Sequence, residues 1–457
     1  LVGSEMCIRD RYKSSDFIKD SVALASLTIL PLNIVGNSKK SMIRTAHIGV
    51  GGMGKADLEY ISSHKNVEVV ALCDVDSDIL MAASKSHPKA KTYKDYRKLL
   101  NEMDSKIDAV IVSTPDHTHA PASIMAMKMD KDVYCQKPLT HHVSEAREMQ
   151  KIAKDRNLVT QMGIQVHSFY DYKLATLLIQ SGIIGKVRTV RAWSPKNWGY
   201  DGPRPSGSDP IPKQLEWNLW LGTAAKRPYK KNIYHPFMWR KMIDFGCGTL
   251  GDMGVHIFDT PYNALNLDVP LTIKNKCRRP NGIGFPEKNY VTYKFPGTKY
   301  TTDTLKWVWE DGKGAPRTHK DLKLPNRDKL PDQGAMFIGE KGRLLLPHFM
   351  EFPKLIIDGK YEEIDISKFE ESGEITKNPI RDYEKESYIH YHEFIDSCLG
   401  KGDCSAPFSY SARLTETILL GVIAGRFPNK TLHWDNKTAK FLEEEANNFI
   451  NSPYRKF

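Results

Sequence analysis

No two cysteines in this 457-residue chain have the CxxC spacing of a metal or redox pair. The seven cysteines, Cys7, Cys73, Cys135, Cys247, Cys277, Cys398 and Cys404, are odd in number and irregular in spacing, so neither a zinc site nor a disulfide framework is indicated. Only Cys398 and Cys404 are close enough in sequence for a disulfide to be considered. Cys73 and Cys135 fall in apolar, strand-like runs and read as small buried hydrophobes. The chain also lacks any run of five or six basic residues. Its net charge is +11, but the lysines are spread along the whole length, which describes a solvated basic surface. No nucleic-acid motif is present. No apolar stretch is long enough to span a bilayer comfortably, and there is no internal repeat or low-complexity tract. What remains, 40% hydrophobic and 26% charged residues over a length sufficient for two or more domains, describes a globular protein with substantial cores.

Residues 1–42 stand apart. "LVGSEMCIRDR" shares no pattern with the rest of the chain and reads as a scar. "SVALASLTILPLNIVG", about a dozen apolar residues broken by Pro31, has the length of a signal-peptide core. Export to the periplasm is the expectation, with a cytoplasmic location as the alternative. Where a twin-arginine pair would fix the route, the chain has Lys13-Ser14-Ser15.

From residue 43 to about 165, near-continuous apolar runs alternate with amphipathic stretches of ten to thirteen residues. That grammar predicts a parallel sheet covered on both faces, wound right-handedly into a doubly wound α/β domain. From 166 to 457 it changes. "GKVRTVRAWS", "LTIKNKCRR", "NYVTYKFPG", "YTTDTLKWVWEDG" and "EKGRLLLP" read as strands without regular intervening helices, followed by helices in "SYIHYHEFIDSCL" and "ARLTETILLGVIAGR". An α+β domain built on a large, open, mostly antiparallel sheet is expected there.

Gly49-Val50-Gly51-Gly52-Met53-Gly54 fits G-x-G-x-x-G directly after a strand and opening a helix. The first glycine permits the tight turn, the second lets the backbone approach a pyrophosphate, and the third lets helix and strand pack closely. The helix N-terminus adds free N–H groups. Asp74, 20 residues beyond Gly54, can accept hydrogen bonds from ribose hydroxyls and would repel a 2′-phosphate, so NAD is expected over NADP. In "STPDHTHA", Thr114, Pro115 and His119 lie at the next strand edge near the cofactor. The plainer reading of His117 and His119 is two exposed turn residues.

"DVYCQKPLTHH" places Lys137 at the end of an apolar strand, where desolvating an ammonium costs several kcal/mol unless something pairs with it. Gln136 precedes it and Pro138 turns the chain away. Further on, "DFGCGTLGDMGVHIFD" describes a glycine-rich loop entering a helix, with Asp252 and His256 four residues apart on one face, close enough to interact directly. An imidazole beside a carboxylate is a ready general base. A core histidine and a helix-capping aspartate would fit the same pattern.

Taken together, the Gly49–Gly54 turn, Lys137-Pro138 and the Asp252…His256 pair resemble the glucose–fructose oxidoreductase / inositol dehydrogenase / rhizopine catabolism (Gfo/Idh/MocA) family. The resemblance runs from about residue 43 to the end of the sequence and includes "GEKGRLLL" and "LTETILLG". It implies that Lys137 touches substrate and nicotinamide, and that Asp252 and His256 close the site from the second domain, His256 as the catalytic histidine. It also implies self-association into dimers or tetramers. Gln136 is the departure, since the family usually has Glu there; the loss of a negative charge should lower the pKa of Lys137. "WSPKNWGYDGPRPSG" and "YHPFMWRKMIDFG" look like the sugar-facing loops of exported members. Trp193, Trp198 and Trp239 offer flat faces for a sugar ring, and Arg204 and Arg240 offer donors for its hydroxyls. Each aromatic also fits a core or loop-anchoring role.

The expected function is therefore an NAD-dependent oxidoreductase acting on a sugar, sugar derivative or polyol, with no metal and no nucleic-acid partner. Two alternatives stand beside it. One is a glycosidase that oxidises C3 transiently, eliminates the aglycone and returns the hydride, with Tyr200, His235 or His167 as the additional base. The other is a non-catalytic sugar or nucleotide sensor.

Overall fold

The computed structural model describes residues 41–457; the scar-like and signal-like stretches lie outside the described residues. Strands β1 (Ile43–Ile48), β2 (Val67–Cys73), β3 (Lys91–Tyr93), β4 (Ala109–Val112), β5 (Asp132–Gln136) and β6 (Thr160–Gly163) form a sheet in the order β3-β2-β1-β4-β5-β6. Every neighbouring pair is parallel. Helices α1 (Met53–Ser62), α2 (Ser77–Ser86), α3 (Tyr96–Met103), α4 (Asp116–Lys128) and α5 (Val143–Arg156) connect them. β4 is buried along its whole length, as a strand covered on both faces must be. The strand order reverses between β1 and β4, and the chain leaves these two strands in opposite directions. The crevice this opens at their carboxyl ends is where open α/β sheets take ligands.

The second sheet has ten strands. β7 (Val187–Ser194), β8 (Thr272–Lys276), β9 (Tyr290–Pro296), β10 (Thr301–Asp311) and β12 (Arg343–Pro347) are the strands expected from the sequence. β11 (Gly334–Gly339), β13 (Lys354–Ile357), β14 (Lys360–Glu362), β15 (Thr431–Asp435) and β16 (Lys440–Phe441) complete it in the order β14-β13-β12-β11-β7-β10-β9-β8-β15-β16. Only β7 and β10 pair in parallel; the other neighbours are antiparallel.

Helix α6 (Tyr170–Gln180) was not expected in this part of the chain. It packs on α8 (Val255–Ala264), and α8 in turn lies against β7 and β11. The remaining helices are α7 (Trp217–Leu221), α9 (Ser367–Glu371), α10 (Tyr383–Cys398) and α11 (Phe408–Ala424). Among the described residues no helix is long and apolar enough to cross a membrane. Cys404 is a free thiol, so the disulfide with Cys398 considered from their spacing does not form.

One continuous apolar cluster runs from Ala46 and Val110 in the first sheet through Phe258 of α8 to Trp307 and Phe337 in the second. A buried ionic contact adds direction to that non-directional packing. Glu416 of α11 is fully buried; its Oε1 accepts from Arg147 Nη2 of α5 at 2.6 Å and from Trp434 Nε1 at 2.9 Å, and its Oε2 accepts from Arg413 Nη1 at 2.7 Å. Replacing Glu416 with Ala would leave the Arg147 guanidinium partly buried without a carboxylate, while Arg413 keeps Asp268 at 2.7 Å. The expected cost is about 3 kcal/mol or more, measured as a shift in the urea unfolding midpoint. A shift under about 0.5 kcal/mol would show that the contact does not hold α5 to α11.

Candidate active site

The glycine turn has little room for anything but glycine. Gly49 has φ +83°, and a Cβ there would sit 2.7 Å from the Ser113 carbonyl oxygen; at Gly54 a Cβ would sit 2.1 Å from the Gly49 carbonyl oxygen. Asp74 closes the turn from β2. Its Oδ2 accepts from the Val50 N–H at 3.0 Å and its Oδ1 from the Asp76 N–H at 2.9 Å. Burial raises the pKa of Asp74, and these backbone donors act against that rise. Gly49, Gly51, Gly52, Met53, Asp74, Thr114, Pro115, His119, Gln136 and Lys137 all line one cavity in the crevice. Gly54 is buried behind it, where it lets α1 pack on the turn. A backbone pressed this close, at a helix N-terminus and beside a carboxylate, fits a dinucleotide.

Lys137 is the hinge of the site. Its Nζ donates to the Asp252 carbonyl at 3.0 Å and to Asp252 Oδ1 at 3.1 Å, joining the end of β5 to the helical turn Leu250–Gly254 that leads into α8. Asp252 takes further donors: Trp198 Nε1 reaches Oδ2 at 2.6 Å and Arg240 Nε reaches Oδ1 at 3.4 Å. Burial opposes ionisation of Asp252, but Lys137 and Arg240 outweigh it and hold the carboxyl well below the usual carboxylate range. The Arg240 guanidinium stacks 4.3 Å from the Trp239 ring centroid and 5.6 Å from that of Trp198.

His256 lies one turn further along. Burial, with Lys137 and His348 adding to it, drives its pKa well below the ordinary value, so the ring is neutral. Its Nδ1 has no hydrogen-bond partner among the described residues. The expected direct contact with Asp252 does not take the form of a hydrogen bond, because Lys137, Trp198 and Arg240 claim both carboxylate oxygens. The His348 ring, from the end of β12, is 6.1 Å from that of His256, and His348 Nδ1 is 2.7 Å from the Tyr172 hydroxyl.

Several sequence expectations fall outside this cluster. Trp193 is fully buried in the second-domain core, with Nε1 bonded to the Pro331 carbonyl, so it offers no face to a sugar. Arg204 is exposed on the 194–245 loop and does not line the cavity. Tyr200 donates to the Pro203 carbonyl, and His167 pairs with Asp259 at 2.9 Å in a separate pocket; of the three extra bases considered, only His235 lines the crevice. His117 and His119 are not exposed turn residues. Helix α4 starts at Asp116, earlier than the apolar pattern suggests, and buries both. His119 sits between the Thr114 carbonyl at 2.7 Å and the Pro138 carbonyl at 2.8 Å, tying the ends of β4 and β5 together. Burial lowers its pKa to about 4, and the two carbonyls act in the other direction.

Asp116 was missed. It is buried, lines the cavity, and is pushed up to about 7 by burial, with Arg240 and Lys137 acting in the other direction. Its only sequence signal is its place after Pro115, where a helix-starting acid is commonplace.

Gln136 has a partner that the sequence conceals. Its amide nitrogen donates to Asp57 Oδ1 at 2.9 Å and Oδ2 at 3.0 Å, and its oxygen accepts from the Lys137 backbone N–H at 3.3 Å. The Ser113 and Tyr391 hydroxyls each reach Asp57 at 2.6 Å. A carboxylate is therefore still present behind the strand end, displaced onto α1. Burial raises Asp57 to about 6, with these three donors lowering it.

The fold and the crevice define a two-domain protein with an NAD-binding Rossmann domain. Two family profiles match, one for an oxidoreductase family NAD-binding Rossmann fold over residues 43–164 and one for its C-terminal alpha/beta domain over residues 173–294. Together they span more than half of the chain, which belongs to the Gfo/Idh/MocA oxidoreductase family. It is 24% identical over 188 residues to levoglucosan dehydrogenase of Pseudarthrobacter phenanthrenivorans, across 41% of this chain and 40% of that protein. It is 28% identical over 158 residues to a glycosyl hydrolase family 109 protein of Shewanella pealeana, across 33% of this chain and 34% of that protein. The chain thus spans less than half the length of these curated relatives. An inositol dehydrogenase homolog from Azotobacter vinelandii, solved with NADH and myo-inositol, shares the fold at TM-score 0.61 and 16% identity, over 86% of this chain and 98% of that one.

The Asp57–Gln136 contact can be tested directly. Glu at position 136 would replace an amide donor with a second buried carboxyl against Asp57. Gln136→Glu should cost on the order of 3 kcal/mol at pH 8 and less at pH 5, where a proton shared between the two carboxyls restores a donor. Unfolding curves of variant and parent that coincide at pH 8 would contradict the arrangement.

Proposed function

We propose that this protein is an NAD-dependent oxidoreductase that transfers a hydride between a C–OH carbon of a sugar, sugar derivative or polyol and the nicotinamide. The observation that carries the reading is the pairing of Lys137 with Asp252 across the two domains, at a cavity whose other walls are the glycine turn and Asp74. Bound NAD supplies the hydride acceptor. Lys137 donates to the substrate oxygen and stabilises the negative charge that develops there. Asp252 holds the ammonium in place, while Trp198 and Arg240 fix the carboxylate. Neutral His256, one turn beyond Asp252, receives the hydroxyl proton, although it is not part of the cavity wall and its Nδ1 is buried. Trp239 and Arg240 present an aromatic edge and a guanidinium to the ring and hydroxyls of the substrate.

Likeness to a glycosyl hydrolase family 109 protein favours a second reading, the redox-neutral glycosidase, in which His235 at the crevice wall is the candidate base for C2–H. A panel of sugars, polyols and aryl glycosides, with NADH and released aglycone read together, separates the two. NADH formed in step with sugar consumed, without aglycone, supports the dehydrogenase; aglycone release without net NADH overturns it. On the best substrate, His256→Ala should lower kcat by about 10² to 10⁴. Lys137→Ala should lower it by about 10² to 10³. Near-normal turnover in either variant would remove that residue from the scheme.

The proposal extends to export and to a homodimer or homotetramer. The apolar stretch beginning near Ser21 supports export, and a mature N-terminus upstream of residue 22 in native material would contradict cleavage there.

A further inference from the structure

The cavity has two ends. Lys137, Asp116 and Asp252 mark the reactive one; Asp74, Lys94 and Tyr96, after β2 and β3, mark the end where the adenosine half of a dinucleotide lies in this fold. At that second end the wall contains a residue from the opposite end of the numbering, Phe457.

Its placement is specified by several contacts. Arg455 is fastened to α7 and the loop after it: its backbone N–H donates to the Thr223 carbonyl at 2.9 Å, its Nε to the Ala224 carbonyl at 2.8 Å, and its Nη1 to Asn218 Oδ1 at 2.9 Å. Tyr454 donates its hydroxyl to Glu145 Oε1 at 2.6 Å. The Phe457 ring then lies 4.1 Å from the Arg97 guanidinium and 5.5 Å from that of Arg455. Arg97 also donates to the Phe457 carbonyl and is itself held in a fork by Asp95, with Nε to Oδ1 at 2.9 Å and Nη2 to Oδ2 at 2.7 Å. A segment meant only to cover apolar surface would not need a guanidinium clamp on its aromatic ring. Here the clamp fixes a ring, without burying it fully, at the edge of a cleft that receives a purine.

We propose that Phe457 is an adenine-stacking residue. Segment 454–457 bridges α5, α7 and α3 and supplies the cofactor site with an aromatic wall that the glycine turn and Asp74 do not provide. Cofactor affinity and docking of this segment are thereby coupled. The inference rests on the NAD reading above and adds to it a specificity element for the adenosine half.

The test is to titrate the full chain and its variants with NADH and with reduced nicotinamide mononucleotide, which lacks the adenosine half. Base–aromatic stacking is lost on alanine substitution, so Phe457→Ala should raise the Kd for NADH by about 10- to 100-fold and leave the mononucleotide unchanged. Phe457→Tyr should keep parental affinity. Arg455→Ala, which lies outside the crevice, should weaken NADH in the same direction by releasing the anchor. Unchanged NADH affinity in Phe457→Ala, or equal weakening of both ligands, overturns the proposal. A parent protein that binds neither ligand overturns the NAD reading instead, and this inference with it.

Discussion

An ammonium at the end of a buried strand has to find a carboxylate, and in this molecule the carboxylate comes from the other domain. Lys137 and Asp252 lie 115 residues apart and meet at 3.1 Å, with the Asp252 carbonyl as a second acceptor at 3.0 Å. Breaking such a pair from either side costs more than the pair contributes, because the partner left behind stays desolvated. The geometry of β5 and of the turn before α8 is therefore fixed by one contact. The shared apolar cluster and the Glu416–Arg147 contact serve the same end: they stop the two sheets from moving apart and leaving the ammonium unpaired. Trp198 and Arg240 complete the carboxylate, which is why a loop without regular structure can present defined side chains to the crevice.

This arrangement sets the charge state of the site. Lys137 and Arg240 face one ionised carboxylate, Asp252, while Asp116, raised to about 7, carries less than a full charge near neutrality. His256 and His348 are both held neutral, His348 at about 4, chiefly by burial and then by the nearby lysines. The burial that keeps both rings neutral also disfavours protonating them, so the standing positive charge of the site belongs to Lys137 and Arg240. Behind it, Asp57 and Gln136 place a further carboxyl under the strand end, hydrogen-bonded to Tyr391 of α10. Both domains contribute to that second layer as well.

The legibility of the fold follows from how local its causes are. Alternating apolar runs and amphipathic helices identified five of the six strands of the first sheet; three-residue β3 carries too little pattern to be seen. In the second domain β11, "GAMFIG", is buried at every position, so it lacks the alternation that marks a half-exposed strand. β15 and β16 close the sheet from beyond α11, far from the strands they extend. Helix α6 was overlooked because the surrounding sequence reads as strand and loop, and its apolar face becomes evident only once α8 packs on it.

Motif residues behaved similarly. By itself the sequence determined the glycine turn, the acid after β2, and the presence of a lysine and an aspartate–histidine pair needing a shared environment, because each rests on local backbone sterics or on the cost of burying charge. It did not determine which partners those groups would choose. That Asp252 bonds Lys137 rather than His256, that Gln136 turns to Asp57, that Trp193 is core while Trp198 is site, and that Phe457 reaches the crevice are outcomes of competition among donors and surfaces distant in sequence. Hydrogen bonds and desolvation act over a few ångströms. Only the folded chain decides which groups come within that range.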